Sequence, residues 1–315
     1  METIQLKNAA GGTDLGKDGE AAHLFEKLAQ AFASAAGGTR RLTVAYSGGL
    51  DSRFLSFCAA REGYAVRLLH VAGDHIAPEE TEQAVALARA MNLEAEVVHI
   101  ALASPQTLAR AGRERCYVCK KAIFSQLQTM AEGGRLCDGT NASDLGVFRP
   151  GSRAVAELGV FSPLAEAGFT KPMIRRWAAE LGLPLPNQAA RPCLLTRFPY
   201  GVEPHQSELA TVGEVEEWLA ESPLGQGLAF RLRYPDGVHP ALHVAREGLR
   251  SSVQRAGCDE AALLSDIRTA LIVHFGGRLE GLTVEAMDVL SGYYDRLESA
   301  GHQVRKARTQ NSIKA

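Results

Sequence analysis

From Arg41 onward the chain alternates short runs of aliphatic and β-branched residues with amphipathic helical stretches, and this alternation limits the fold more than any other feature. LTVAYS leads into a helical pattern from about Asp51, VRLLHVA into one from Pro78, and AEVVHI into one from about Lys120, after which RLCDGT follows. Strands separated by helices of this length pair in parallel, because a parallel connection needs a crossover of a dozen or more residues. The helices then cover both faces of the sheet. Ahead of the first strand, Leu24, Leu28 and Phe32 recur at helical spacing. The expected fold class is therefore α/β, with ligands gathering at the carboxyl ends of the strands.

A stretch rich in Pro and Gly, GLPLPNQAARPCLLTRFPYGVEP, closes the α/β part. Beyond it a helix is expected around Glu208 to Ala220, then strand-like runs LAFRLRY, PALHV and RTALIVHF with helices between them. The organisation expected is a flexible arm over 1–18, an α/β domain over 19–200 and a smaller α+β domain over 201–315, which suits a chain of 315 residues. A composition of 46% hydrophobic and 22% charged residues excludes a wholly disordered or fibrous chain. Lys and Arg number 34 against 36 Asp and Glu, so no global basic field invites nucleic acid or a membrane surface. No apolar run is long enough to span a bilayer, and the polar start lacks the order of a signal peptide, so the expected location is cytoplasmic. The basic tail with Arg305, Lys306, Arg308 and Lys314 reads as a solvated end.

Tyr46-Ser47-Gly48-Gly49-Leu50-Asp51-Ser52 stands where the first strand gives way to a helix. Two glycines let successive N–H groups turn toward one point, and the helix adds its positive end, which together make a cradle for an anion. Ser47 and Ser52 add hydroxyl donors, and Asp51 suits a cation bridging phosphate oxygens. The Walker pattern is absent, so this is a different nucleotide loop. The plain alternative is a turn with Ser-Gly-Gly and an Asp cap. A second stretch, Cys137-Asp138-Gly139-Thr140-Asn141-Ala142-Ser143-Asp144, ends another strand at the same edge of the sheet. Gly139 permits close approach, and Thr140, Asn141 and Asp144 offer polar groups; by itself it is a turn with a helix cap.

The six cysteines are too sparse for a disulfide scaffold. Cys116 and Cys119 form a CxxC among Arg113, Arg115, Lys120 and Lys121, charges that favour thiolate. Cys193 lies between Pro192 and Pro199 with two arginines nearby. Three thiolates suit a [4Fe-4S] cluster with one open iron; zinc completed by His99 or His205, and a disulfide-exchange pair, are the competing uses. Cys58, Cys137 and Cys258 read as structural.

The SGGLDS segment resembles the phosphate loop of the PP-loop ATP pyrophosphatases, whose ATP domain is Rossmann-like. The resemblance implies that Ser47, Gly48, Gly49, Asp51 and Ser52 hold ATP, with Asp51 on Mg2+, and that AMP is transferred as pyrophosphate leaves. ERCYVCK, DGTNASDLGVFRPG, SPLAEAGFTKPMIR and RPCLLTRFPYG, in this order behind that loop, look like the LarE family of ATP-dependent sulfur transferases over roughly residues 20 to 245. That resemblance implies nickel-pincer cofactor biosynthesis. A carboxylate of pyridinium-3,5-biscarboxylic acid mononucleotide is adenylylated and becomes a thiocarboxylate. Sulfur comes either from one sacrificial cysteine, matching Cys193, or from a sulfide on a [4Fe-4S] cluster held by Cys116, Cys119 and Cys193, and this chain has all three. It also implies assembly into a homo-oligomer.

A substrate bearing phosphate and carboxylates calls for arginines, whose planar fork suits both groups. Arg231 and Arg233 alternate on FRLRY and so share a face; they resemble the family's phosphate-binding pair, while the plain reading is a solvent face. Arg149 and Arg197, in matched motifs, are further candidates, whereas Arg175 and Arg176 read as cover for a helix surface. Two alternatives stay open: tRNA thiolation, which uses similar loops, and a nucleotide-binding protein without catalysis.

Overall fold

The structure, a computed structural model, describes residues 19–100, 102–131, 134–146, 150–188 and 191–299. The expected arm over 1–18, the basic tail and Arg149 lie outside the described residues. In chain order the first elements are α1 (Gly19–Ala36), β1 (Arg41–Ala45), α2 (Leu50–Arg61), β2 (Ala65–Ala72), α3 (Pro78–Arg89) and β3 (Ala95–His99). They are followed by α4 (Pro105–Arg110), α5 (Arg115–Met130), β4 (Leu136–Cys137), α6 (Pro150–Glu157), α7 (Pro163–Ala167) and α8 (Lys171–Glu180). The remainder comprises α9 (Gln206–Glu221), β5 (Phe230–Arg233), β6 (Ala241–Ala245), α10 (Arg246–Ala256), α11 (Glu260–Phe275), β7 (Thr283–Met287) and α12 (Tyr293–Ser299).

The chain divides into two compact units. The first takes residues to Gly73, Pro78–Ala103 and Cys116–Arg191; the second takes Asp74–Ala77, Ser104–Arg115 and the chain from Pro192. In the first, the strands form one parallel sheet in the order β3-β2-β1-β4, as the alternation predicts. Val44 of β1 pairs with Leu68 on one side and Cys137 on the other. Helices lie on both faces. Phe25 of α1, Phe54 of α2 and Trp177 of α8 join Leu42, Val44 and Leu68 in one core, while Phe124 and Leu127 of α5 and Val155 of α6 pack with Leu69 and Leu136 in the other. Phe25 meets Phe169 and Trp177 edge-on at 5.3 Å, a geometry aromatic rings favour.

In the second unit β5, β6 and β7 form a three-stranded sheet, antiparallel between β5 and β6 and parallel between β6 and β7. The run RTALIVHF, expected as a strand, is the second half of α11. Its β-branched residues favour a strand locally, but Leu263, Ile267 and Leu271, four apart, are the buried ones, and burial along one helical stripe decides the outcome. The strand that fills the sheet is instead Thr283–Met287. Among the described residues no helix is long and apolar enough to cross a membrane.

Candidate functional site

The loop Tyr46–Gly49 joins β1 to α2 at the carboxyl edge of the sheet. Gly48 holds φ +72, and a Cβ there would meet the Ala84 Cβ at 2.5 Å and its Cα at 2.9 Å, so both conformation and space require glycine. Gly49 caps α2 in an extended conformation, and its N–H donates to the Ser47 hydroxyl at 3.3 Å. The Ser47 and Ser52 hydroxyls lie 3.2 Å apart, and that of Ser52 donates to the Gly49 carbonyl at 3.0 Å. The two hydroxyls and the start of α2 thus lie together at the end of β1, where an anion cradle is expected. Behind the loop, Tyr46 is buried and donates its hydroxyl to the Ala84 carbonyl at 3.1 Å; burial pushes its pKa up to about 12.

The DGTN stretch packs directly against this loop. A Cβ on Gly139 would come within 2.8 Å of the Ser52 nitrogen and 3.1 Å of its Cα, so only glycine lets the chain after β4 approach the first turn of α2. Asp138 accepts from the Thr140 hydroxyl and the Ser162 hydroxyl, each at 2.6 Å. Asn141 accepts from the Ser143 N–H at 2.9 Å, and Asp144 accepts from the Asn141 N–H at 3.3 Å, closing a capping box around the turn Ala142–Asp144. The structure thus brings Ser47, Gly48, Gly49, Asp51, Ser52 and the residues from Gly139 to Asp144 to one edge of one sheet.

Asp51 has a partner that sequence reasoning missed. Lys171, at the start of α8, places its ammonium 2.6 Å and 2.7 Å from the two Asp51 oxygens, and its N–H donates to the Ser143 hydroxyl at 2.9 Å. The lysine lies inside the matched segment SPLAEAGFTKPMIR, which was the available signal. Arg53, also missed, is fully buried under the loop and donates from Nε to the Gly48 carbonyl at 3.1 Å.

α5 begins at Arg115 and not near Lys120, so Cys116 and Cys119 sit one turn apart inside the helix, Cys116 exposed and Cys119 buried. Cys193 is half-buried and belongs to the second unit, while Cys116 and Cys119 belong to the first. Its carbonyl accepts from the Thr196 N–H at 2.9 Å and hydroxyl at 2.7 Å, which closes the 3-10 turn Leu194–Arg197. Thiolates are the right donors for iron, yet among the described residues, His99 and His205 included, no three His, Cys, Asp or Glu are grouped to hold a metal ion. Cys58 and Cys137 are buried, and burial raises both thiols, Cys137 to about 12, which suits packing and not reactivity.

In the second unit Arg197 is 3% exposed and donates through Nε and Nη2 to both oxygens of Glu216 at 2.9 and 2.6 Å. Its Nη1 donates to the Pro192 carbonyl at 3.0 Å, so the guanidinium braces the turn after Cys193 against α9. The Tyr294 hydroxyl of α12 donates to the Arg197 carbonyl at 2.7 Å. Arg233 is 4% exposed, which removes the solvent-face reading for it. Its Nη1 donates to His243 Nδ1 at 2.8 Å, its Nη2 donates to the Leu290 carbonyl, its guanidinium lies over the Tyr293 ring, and its Nε has no partner among the described residues. Burial lowers Arg233 to about 10, and burial with the Arg233 charge lowers His243 to about 4. Arg231 is half-buried and donates to the Phe230 carbonyl at 2.6 Å. Arg176 donates to Glu180 at 2.8 Å along the α8 surface, as expected.

Residues 41–118 match the family described as queuosine biosynthesis protein QueC. The chain is 36% identical over 200 residues to the uncharacterized protein slr1717 of Synechocystis, spanning 62% of this chain and 73% of that one. It is 30% identical over 187 residues to the pyridinium-3,5-bisthiocarboxylic acid mononucleotide synthase of Lactiplantibacillus plantarum, spanning 57% of this chain and 67% of the synthase. A solved structure, NMN synthetase from Francisella tularensis, is similar with a TM-score of 0.41 at 18% identity, spanning 54% of this chain and 74% of that one. Identity of this extent with the synthase decides the kinship, and the chain belongs to the LarE family of ATP-using PP-loop enzymes.

Proposed function

We propose that this chain is an ATP-dependent sulfur transferase that adenylylates a carboxylate of pyridinium-3,5-biscarboxylic acid mononucleotide and converts it to a thiocarboxylate. The observation that carries the reading is the meeting of two loops at one strand edge, where Gly139 allows backbone to approach Ser52 beside the Ser47–Gly49 cradle. In this reading Ser47, Gly48, Gly49 and Ser52 hold the β and γ phosphates, Asp51 and Lys171 balance charge with Mg2+, and Gly139, Thr140, Asn141 and Asp144 line the nucleotide's other side. The substrate carboxylate attacks the α phosphorus, pyrophosphate leaves beside the donors of the loop, and an acyl-adenylate remains. A sulfur nucleophile then displaces AMP at the acyl carbon.

Cys116, Cys119 and Cys193 are proposed as ligands of a [4Fe-4S] cluster that, when bound, supplies the sulfide; the support is their place in the matched sequence segments. Arg149, Arg231 and Arg233 are proposed to meet the substrate's phosphate and free carboxylate, while Arg197, its guanidinium taken up by Glu216 and the Pro192 carbonyl, is proposed to serve that site by holding the turn after Cys193. The ATP domain is taken as 19–200 with the smaller domain over 201–315, in a cytoplasmic homo-oligomer.

The test is anaerobic purification with iron, sulfide and zinc analysis, followed by assay of pyrophosphate and AMP with ATP, Mg2+ and the dicarboxylate mononucleotide. Pyrophosphate release that depends on the dicarboxylate, followed by a thiocarboxylate product, is expected. Its absence overturns the enzyme reading. A colourless protein with stoichiometric zinc overturns the cluster and leaves the adenylylation standing.

A further inference from the structure

Among the described residues no fully buried side chain is larger than Arg53, and its guanidinium joins two segments far apart in sequence. Nε donates to the Gly48 carbonyl at 3.1 Å, Nη2 to the Leu185 carbonyl at 3.1 Å and to the Gln188 side-chain oxygen at 2.8 Å, and Nη1 to the Pro184 carbonyl. The phosphate loop and the Pro184–Gln188 segment therefore share one cation, and the chain runs on from Gln188 to Cys193.

The bond to Gly48 has a geometric consequence. A planar trans peptide keeps its C=O and N–H on opposite sides. With the Gly48 carbonyl drawn down onto Arg53, the Gly49 N–H turns the other way, toward the Ser47 hydroxyl 3.3 Å from it. At the far end Leu185 holds φ +50, a conformation that L side chains resist, and its carbonyl accepts from Arg53 Nη2. Strain in such a turn persists only where neighbours hold it.

We propose that Arg53 is a positioning residue that aims the Gly49 N–H into the phosphate cradle and ties the occupancy of that cradle to the order of the Pro184–Gln188 segment. The inference rests on reading the loop as a nucleotide-phosphate site. When phosphates draw on the Gly49 N–H, the same peptide is held more firmly against Arg53, and the guanidinium's other bonds gain with it.

The experiment is amide hydrogen exchange on the full chain with and without Mg2+ and α,β-methylene-ATP, comparing wild type with Arg53→Met, Arg53→Lys and Gln188→Ala. At nucleotide 100-fold above its Kd, openings that release nucleotide are suppressed by about 100-fold, so in wild type the amides of 46–53 and, within 184–188, those of Leu185, Asn187 and Gln188 slow together. In Arg53→Met, saturated with nucleotide, the slowing at 184–188 is lost, and Arg53→Lys restores part of it through one bond. Gln188→Ala, which leaves Arg53 in place should Arg53→Met not fold, keeps the slowing at 46–53 and weakens it at 184–188. Wild-type slowing confined to 46–53, or equal slowing at 184–188 in Arg53→Met, overturns the inference alone. A wild-type chain that binds no nucleotide overturns the loop's reading and the inference with it.

Discussion

The Lys171 ammonium lies 2.6 Å and 2.7 Å from the two oxygens of Asp51, so the carboxylate proposed for the metal is already faced by a cation of the protein. Both side chains are partly exposed, 33% and 25%, and the pair is accordingly worth no more than about 1 kcal/mol to stability. Its value is electrostatic. A lysine anchored through its own N–H on Ser143 presents fixed positive charge beside the phosphate loop. Lys171→Met is expected to lower the rate of pyrophosphate release about 100-fold, the cost of removing one oriented charge or donor from a transition state. Thermal unfolding should shift by only a few degrees. A rate within a factor of three of wild type would show that the lysine only balances Asp51.

Gly139→Ala tests the contact between the two loops. The added methyl would sit 2.8 Å from a backbone nitrogen that cannot move without disturbing the start of α2. Overpacking of this kind costs about 1 to 3 kcal/mol, and here the strain falls on Ser52 and the cradle. The variant is expected to lose both stability in urea and affinity for α,β-methylene-ATP. Normal nucleotide affinity in a folded variant would mean that the second loop does not shape the first.

The loop and sheet were legible because their signals are local: glycines where β1 ends, β-rich runs before amphipathic ones. Arg53 carried no such signal, since Pro184 is 131 residues away and a lone arginine after SGGLDS looks like surface. Lys171 was in view within a matched segment, but only the fold brings it to Asp51. RTALIVHF failed for the opposite reason, because a short β-branched run outweighed the four-residue spacing that continues through it. The burial of Arg233 could not be read from alternation, which says that Arg231 and Arg233 share a face and not what covers it.

Arg197, buried, and Glu216, half-buried, form a pair in which both carboxylate oxygens are used. Removing one partner from such a pair leaves an uncompensated buried charge and typically costs 3 to 5 kcal/mol. Glu216 also accepts from the Leu232 N–H at 2.9 Å, so Glu216→Ala is expected to reach that range in chemical denaturation and to free the turn after Cys193. The double variant Arg197→Met with Glu216→Leu should recover much of the loss, because no lone charge remains. A single-variant cost below about 1 kcal/mol would show that water already screens the pair.

His243 gives the second unit a defined response to acid. Its pKa is lowered from 6.5 to about 4, first by burial and then by the Arg233 charge, so the folded chain holds it neutral with Nδ1 accepting from Arg233. Below pH 6.5 the unfolded chain binds a proton that the folded chain refuses until pH falls to about 4. The unfolded state therefore holds more protons throughout this window, and stability rises with pH across it. The contribution is complete above pH 6.5 and is lost as pH falls, by about 2 kcal/mol at pH 5 on the scale of 1.36 kcal/mol per unit. His70 and His75, also lowered by burial, act in the same direction, so the wild-type curve alone does not isolate His243. His243→Asn removes the titration and keeps an acceptor for Arg233. Urea unfolding at pH 7 and pH 5 should show a smaller loss in the variant than in wild type by about that amount, and equal losses would place the proton elsewhere.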